Sequence, residues 1–171
     1  IEAMTDCMKK TNGNPSSIHA EGRTARAAIE AARKTVANSL NAGIGEIFFT
    51  SGGTEANNMA LKNAVRDLGV ERIISSPLEH HCVLHSLDRI SADMGIEVEM
   101  VDVDTQGRVS TDHLRKSLQK SSLKTLVSLM HANNEIGTVL PLQEVAEMCR
   151  EHGALFHCDT VQTIGYYPID L

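Results

Sequence analysis

The sequence predicts an α/β protein built on a mostly parallel sheet with helices on both faces. Three observations carry that expectation. Short β-rich runs alternate with stretches of helical periodicity along most of the 171 residues. The polar, chemically capable residues gather just after the apolar runs, where an open parallel sheet collects its ligands. No internal repeat, low-complexity segment or Pro/Gly/Ser linker interrupts the alternation. A chain of this length with 42% apolar side chains can bury one sizeable core, so one domain over residues 1–171 is expected.

The elements follow in order. Ala25, Ala28, Ile29, Ala32, Val36 and Leu40 form one stripe and predict a helix over 21–40, announced by Asn14-Pro15-Ser16-Ser17. A β-rich run at 46–50 is followed by the turn Ser51-Gly52-Gly53-Thr54 and a helix at 55–67. The pattern then gives strand 72–76, helix 81–94, strand 97–103, a turn at 104–107 and helix 111–120. It closes with strand 125–130, a loop at 131–141, helix 142–152 and strand 154–157. Strands that alternate with helices pair in parallel, because each crossover returns the chain to the same end of the sheet.

Charge and composition exclude several function classes. A formal charge of -6 with no Lys/Arg run offers no surface that could displace counterions from nucleic acid. No apolar stretch approaches a bilayer span, and residues 1–10 mix acids with bases instead of forming a signal sequence. A soluble, cytoplasmic protein without nucleic-acid or membrane partners is expected. Cys7, Cys82, Cys149 and Cys158 show no paired spacing, which points to reduced thiols. The chain opens at Ile1 and closes at Pro168-Ile169-Asp170-Leu171 without a cap or tail, so both ends are expected to be cuts.

Four of the five post-strand segments carry functional groups. Gly52-Gly53-Thr54 at a helix start suits an anion, since glycines admit close approach and unpaired N–H groups point outward; a tight turn with a threonine N-cap explains it equally. It is neither a Walker loop nor a dinucleotide turn. Asp159, after an apolar run, needs a cation or hydrogen-bond donors to stay ionised, and a protonated pyridine nitrogen is one such partner; a helix N-cap is the alternative. Gln162 lies three residues on. His80 follows Ser76-Pro77-Leu78-Glu79, where an imidazole could lie on an aromatic ring or serve the structure alone. In Asn133-Asn134-Glu135-Ile136-Gly137 the amides could donate to a phenolate-type oxygen or simply shape a turn. Together these loops describe a flat, anionic, nitrogen-containing ring bearing a phosphate.

The runs 50–58 (Thr-Ser-Gly-Gly-Thr-Glu-Ala-Asn-Asn), 79–81 (Glu-His-His), 130–137 (Met-His-Ala-Asn-Asn-Glu-Ile-Gly) and 157–162 (His-Cys-Asp-Thr-Val-Gln) resemble, in order and spacing, cysteine desulfurases of the NifS/IscS type. Residues 13–19 are also similar. The resemblance implies a partial large domain of the type I pyridoxal 5'-phosphate fold within class V aminotransferases. It implies that Gly53 and Thr54 bind the cofactor phosphate, that His80 stacks on the ring and serves acid–base steps, that Asp159 pairs with the ring nitrogen, and that Asn134 and Gln162 address the phenolic oxygen. The reaction it implies converts L-cysteine to L-alanine, leaving a persulfide for a sulfur acceptor or iron-sulfur scaffold protein, in a homodimer.

In that family the lysine that holds the cofactor lies some twenty-odd residues beyond the aspartate, and the persulfide cysteine lies later still. Both are expected outside this sequence, as is the small C-terminal domain, so desulfurase turnover by this chain alone is not expected. None of Lys9, Lys10, Lys34, Lys62, Lys116, Lys120 and Lys124 is placed to substitute. Cys82 and Cys158 fall near the candidate site as expected packing residues. Selenocysteine lyase or another class V relative is the alternative within the fold. A metal-binding protein using His80, His81, Cys82, His85, His131, His157, Cys158 and Asp159 is the alternative of another class. His81 and His85 stand one helical turn apart, but no CxxC or HExxH spacing occurs.

Overall fold

The computed structural model describes residues 1–170. Its order is helix α1 (Glu2–Lys10), helix α2 (Ala20–Ser39), a 3-10 turn (Ile44–Glu46), helix α3 (Gly53–Arg66), strand β1 (Arg72–Ser75) and helix α4 (His81–Met94), then strand β2 (Glu97–Met100), helix α5 (Thr111–Gln119), strand β3 (Thr125–Ser128), helix α6 (Leu142–Glu151) and strand β4 (Leu155–His157). Backbone packing divides the chain into two compact units. One holds Ile1–Phe49 with residues 168–170, the other Thr50–Tyr167.

In the larger unit the four strands form one sheet in the order β2-β1-β3-β4, parallel throughout. Alternation along each strand sends neighbours to opposite faces. Ile74 and Val127 join Leu114, Leu118, Val145 and Met148 of α5 and α6 in one cluster. Ile73 and Leu126 join Leu61, Ala64, Val83, Leu87 and Ile90 of α3 and α4 in the other. The expected layering, helices on both faces of a parallel sheet, is therefore present. Each fully buried Ile, Leu or Val contributes about 1.5–3 kcal/mol by leaving water.

Local sequence explains the helix ends. Ser110 caps α5 by accepting the His113 N–H at 3.2 Å. Gly95 ends α4 in the left-handed region at φ 68°, a conformation without steric cost for glycine. The strands are shorter than their β-rich runs. Beyond Val101 the chain folds back, with Val103 bridging Val109 antiparallel and the Ser110 N–H donating to Asp102 O at 2.9 Å, so β2 stops at Met100. Beyond Ser128 the chain keeps backbone bonds to the β4 side, through Leu129 N–H to His157 O and His131 N–H to Asp159 O.

The strand expected at 46–50 is not formed. Ile47 is extended, yet residues 47–50 pair with no strand among the described residues, and Phe48 and Phe49 are exposed. β propensity alone cannot make a strand, because the ladder needs a partner. In the smaller unit Arg33 instead stacks its guanidinium 5.0 Å from the Phe49 ring centre and donates to Ile47 O. Helix α1 carries no apolar stripe that buries a residue. Its ends suit the helix dipole, with Glu2 in the first turn and Lys9 and Lys10 in the last, and Lys10 pairs with Asp6 at 2.8 Å.

Candidate functional site

Strands β2 and β3 lie on either side of β1, so the chain leaves β1 toward one side and returns from the other. Such a reversal opens a crevice at the carboxyl ends of the strands. A cavity of about 250 Å³ lies in the larger unit, lined by Gly53, Thr54, Asn57, His80, Cys82, Met130, Asn134, Asp159, Val161 and Gln162. All six residues singled out from sequence, Gly53, Thr54, His80, Asn134, Asp159 and Gln162, are on that wall. The loop at 51–54 reaches it without a strand before it, because α3 packs its Leu61 and Ala64 under the sheet and its first turn is thereby fixed.

The Asp159 carboxylate is held by two donors. Oδ2 accepts from Asn57 Nδ2 at 2.8 Å and Oδ1 accepts from the Val161 N–H at 3.0 Å. The second bond is an Asx turn, and residues 160–167 form turns, so the helix N-cap alternative for Asp159 is not realised. Asn57 in turn meets His157 Nε2 through its Oδ1 at 3.2 Å, and His157 Nδ1 meets Ser128 Oγ at 2.9 Å. Burial holds the His157 imidazole below its ordinary range, with the Asp159 charge acting the other way. A neutral His157 then orients Asn57, which orients Asp159.

His80 is the N-cap of α4. Its Nδ1 accepts from the Cys82 N–H at 3.1 Å and lies 3.0 Å from Cys82 Sγ, which leaves Nε2 to carry the ring proton in the neutral form. The two asparagines of the β3 loop divide the alternatives between them. Asn133 shapes the turn, donating to Leu78 O at 2.8 Å and accepting from the Glu135 and Ile136 N–H groups, whereas the exposed Asn134 lines the cavity. At the start of α3, Glu55 takes the Ser51 N–H and hydroxyl at 2.7 Å each. A side chain added at Gly53 would approach Val161 Cγ2 to 3.2 Å, so glycine keeps this wall open.

Sequence reasoning assigned no role to Asn57 or Glu79. Asn57 stands four residues after Gly53 on α3, and that helical spacing was the available signal. Glu79 is buried behind the cavity wall, and burial pushes its carboxyl up to about 7, assisted by the Asp159 charge and opposed by the Met130 N–H and the Ser76 hydroxyl. Cys82 lines the cavity, while Cys158 does not; burial and the charges of Glu79 and Asp159 push the Cys158 thiol up to about 12. No lysine lines this cavity. Among the described residues no three His, Cys, Asp or Glu side chains are grouped to hold a metal. No helix among them is long and apolar enough to cross a membrane.

Comparison with known proteins shows the family and the fold. The chain is 46% identical over 175 residues to cysteine desulfurase IscS of Dictyoglomus turgidum, covering 99% of this chain and 43% of that protein. It is 46% identical to cysteine desulfurase IscS of Methanosarcina thermophila, covering 100% of this chain and 42% of the relative. The chain thus spans less than half the length of these curated relatives. Among solved structures, a NifS-like protein superposes with a TM-score of 0.90 at 38% identity over 99% of this chain and 47% of its own. SspA in complex with cysteine superposes at 0.88 with 32% identity, over 99% of this chain and 48% of its own. A family model described as Aminotransferase class-V matches residues 1–171, and the chain belongs to that family.

Proposed function

We propose that this chain supplies the cofactor-recognising part of a pyridoxal 5'-phosphate-dependent cysteine desulfurase. The observation that carries the reading is the convergence of an aspartate held by two donors, a helix N-terminus at Gly53 and Thr54, a histidine and the amides of Asn57, Asn134 and Gln162 on one cavity of about 250 Å³. That donor set suits the cofactor's three polar features. The N–H groups of Gly53 and Thr54 with the Thr54 hydroxyl would take the phosphate. Asp159, oriented by Asn57 Nδ2 and the Val161 N–H, would hold a proton at the ring nitrogen. Asn134 and Gln162 would donate to the phenolic oxygen.

When bound, the protonated ring supplies an electron sink for bond breaking at an amino-acid substrate. The protein's own share is orientation and proton movement. His80 has Nδ1 engaged by the Cys82 N–H, so Nε2 is the nitrogen that exchanges a proton with substrate. In the whole enzyme, L-cysteine would yield L-alanine: its C–S bond breaks with the electron pair left on carbon, a C–H bond forms there with a proton that the acceptor thiol gives up, and the sulfur joins that acceptor cysteine in an S–S bond. The resulting persulfide would serve a sulfur acceptor or iron-sulfur scaffold protein, with the enzyme a cytoplasmic homodimer. Similarity to proteins named cysteine desulfurase IscS supports the substrate.

Two measurements on the full-length protein test the reading. Pyridoxal 5'-phosphate is expected to bind and, because Cys82 lines the same cavity, to slow carbamidomethylation of Cys82 by iodoacetamide while the exposed Cys7 reacts unchanged. Sulfide is expected to be released from L-cysteine in the presence of a thiol reductant. A folded protein that binds no pyridoxal 5'-phosphate overturns the reading.

A further inference from the structure

Glu79 stands one residue before His80 and is only 5% exposed. Its Oε1 accepts from the Met130 N–H at 2.9 Å and from the Ser76 hydroxyl at 3.2 Å. Its Oε2 is buried without a hydrogen-bond partner among the described residues. The first oxygen joins two segments of the cavity wall, because Met130 and Asn134 belong to the β3 loop and His80 to the β1 loop. The second oxygen is the anomaly. A bare ionised carboxylate oxygen inside a protein is costly, whereas a neutral acid leaves only a hydroxyl to satisfy. A small cavity of about 20 Å³, lined by Glu79, Arg108, Asn133 and Thr138 among others, has room for about one water that could serve it.

We propose that Glu79 is a positioning residue for the cofactor cavity: it latches the loop bearing His80 to the loop bearing Asn134 and, in its neutral form, leaves Asp159 as the single negative charge there. The inference rests on the cofactor reading above for its consequence, but its physical basis does not. Burial pushes the Glu79 carboxyl up to about 7, with the charge of Asp159 acting in the same direction. The other charged and titratable groups near it are Arg108 at the small cavity, His80, His81 and Glu135 on a neighbouring cavity wall, and Cys158 beyond β4, with His131 on the β3 loop that it latches. Cys158, pushed up to about 12, stays a neutral thiol near neutrality, and His131 Nδ1 is engaged by Thr163 Oγ1 at 2.9 Å. A neutral Glu79 therefore keeps two carboxylates from ionising side by side.

The sign of the linkage is fixed by the raised value. The stability Glu79 contributes is fully present below its unfolded value of 4.5 and is lost as pH rises through about 7. Glu79→Gln keeps the shape and the acceptor oxygen but cannot ionise. Thermal or urea denaturation of the full chain without cofactor is expected to show the variant gaining on the parent between pH 5 and pH 8, by roughly a hundredfold in the unfolding equilibrium constant. Groups that titrate alike in both proteins cancel in that difference. Parallel pH profiles for parent and Glu79→Gln overturn the proposal.

Pyridoxine 5'-phosphate, which lacks the aldehyde, reads the latch without covalent chemistry. At pH 6 the Glu79→Gln protein is expected to bind it within about threefold of the parent, and Glu79→Ala to bind it roughly tenfold more weakly, the worth of about one lost hydrogen bond. Should Glu79→Ala fail to fold, the Gln variant and its pH profile still decide the matter. Equal affinity in parent and Glu79→Ala overturns the positioning role alone. No binding by the parent overturns the cofactor reading and this role with it.

Discussion

At the amino end of the sheet Arg72, 1% exposed, donates to Ser117 O and Oγ at 2.9 Å each and pairs with Glu99. Only its Nε lacks a hydrogen-bond partner, with Glu97 Oε1 at 3.9 Å. At the carboxyl end Glu79, nearly as buried, has no cation among its hydrogen-bond partners and one bare oxygen. Both groups sit beside β1. The first is neutralised within the chain; the second is left to manage its charge by protonation, next to an aspartate with room for a ligand. Folded chains satisfy buried charge where nothing else is at stake and leave it incompletely paired where a ligand is to be met.

Breaking the amino-end pair gives the largest effect. Arg72→Ala leaves Glu99 without its countercharge and is expected to destabilise the fold by about 3–5 kcal/mol in urea denaturation. Asp159→Ala moves the comparison to the other end, where the cost falls on the ligand. Pyridoxal 5'-phosphate affinity is expected to drop about 10–100-fold, as for a charge-assisted hydrogen bond, while urea stability changes by less than about 1 kcal/mol.

Acid sharpens the contrast in sign. At Glu99 burial pushes the carboxyl up, but the Ser117 hydroxyl and the hydrogen bond and charge of Arg72 outweigh it and hold it below its ordinary value. Its contribution is present above 4.5 and is lost as pH falls through the depressed folded value, opposite to Glu79. The advantage of the parent over Glu99→Gln, about 1–3 kcal/mol near neutrality, is expected to shrink in thermal melts below pH ~4.5. The smallest effect belongs to a helix end. Ser110→Ala removes the α5 cap and is expected to cost about 1 kcal/mol with cofactor affinity unchanged.

Much of this was legible in the chain. The alternation of β-rich runs with helical periodicity gave the parallel sheet, and α4 begins and ends at the residues read from sequence, His81 and Met94. All six candidate residues meet on one cavity because each stands at a loop or helix start whose element is anchored by a plain apolar pattern. What was not legible depended on partners distant in sequence. The run at 46–50 has strand composition but no ladder to join. β2 stops early because Val103 finds Val109 instead of continuing. Helix α1 places Met4, Cys7 and Met8 at helical spacing but buries none of them, and nine residues are too short a window for that periodicity to mark a helix.

The sequence by itself determined the layer architecture, which follows from local propensity and periodicity, and its resemblance to a known family singled out six of the side chains that line the cavity. Only the tertiary structure decided that Asn57, 102 residues from Asp159 in the chain, would hold its carboxylate, and that Glu79 would be buried with one oxygen unpaired. The physical reason is that hydrogen-bond satisfaction and desolvation depend on what is packed around a group, and at the crevice beside β1 that is set by the strand order β2-β1-β3-β4.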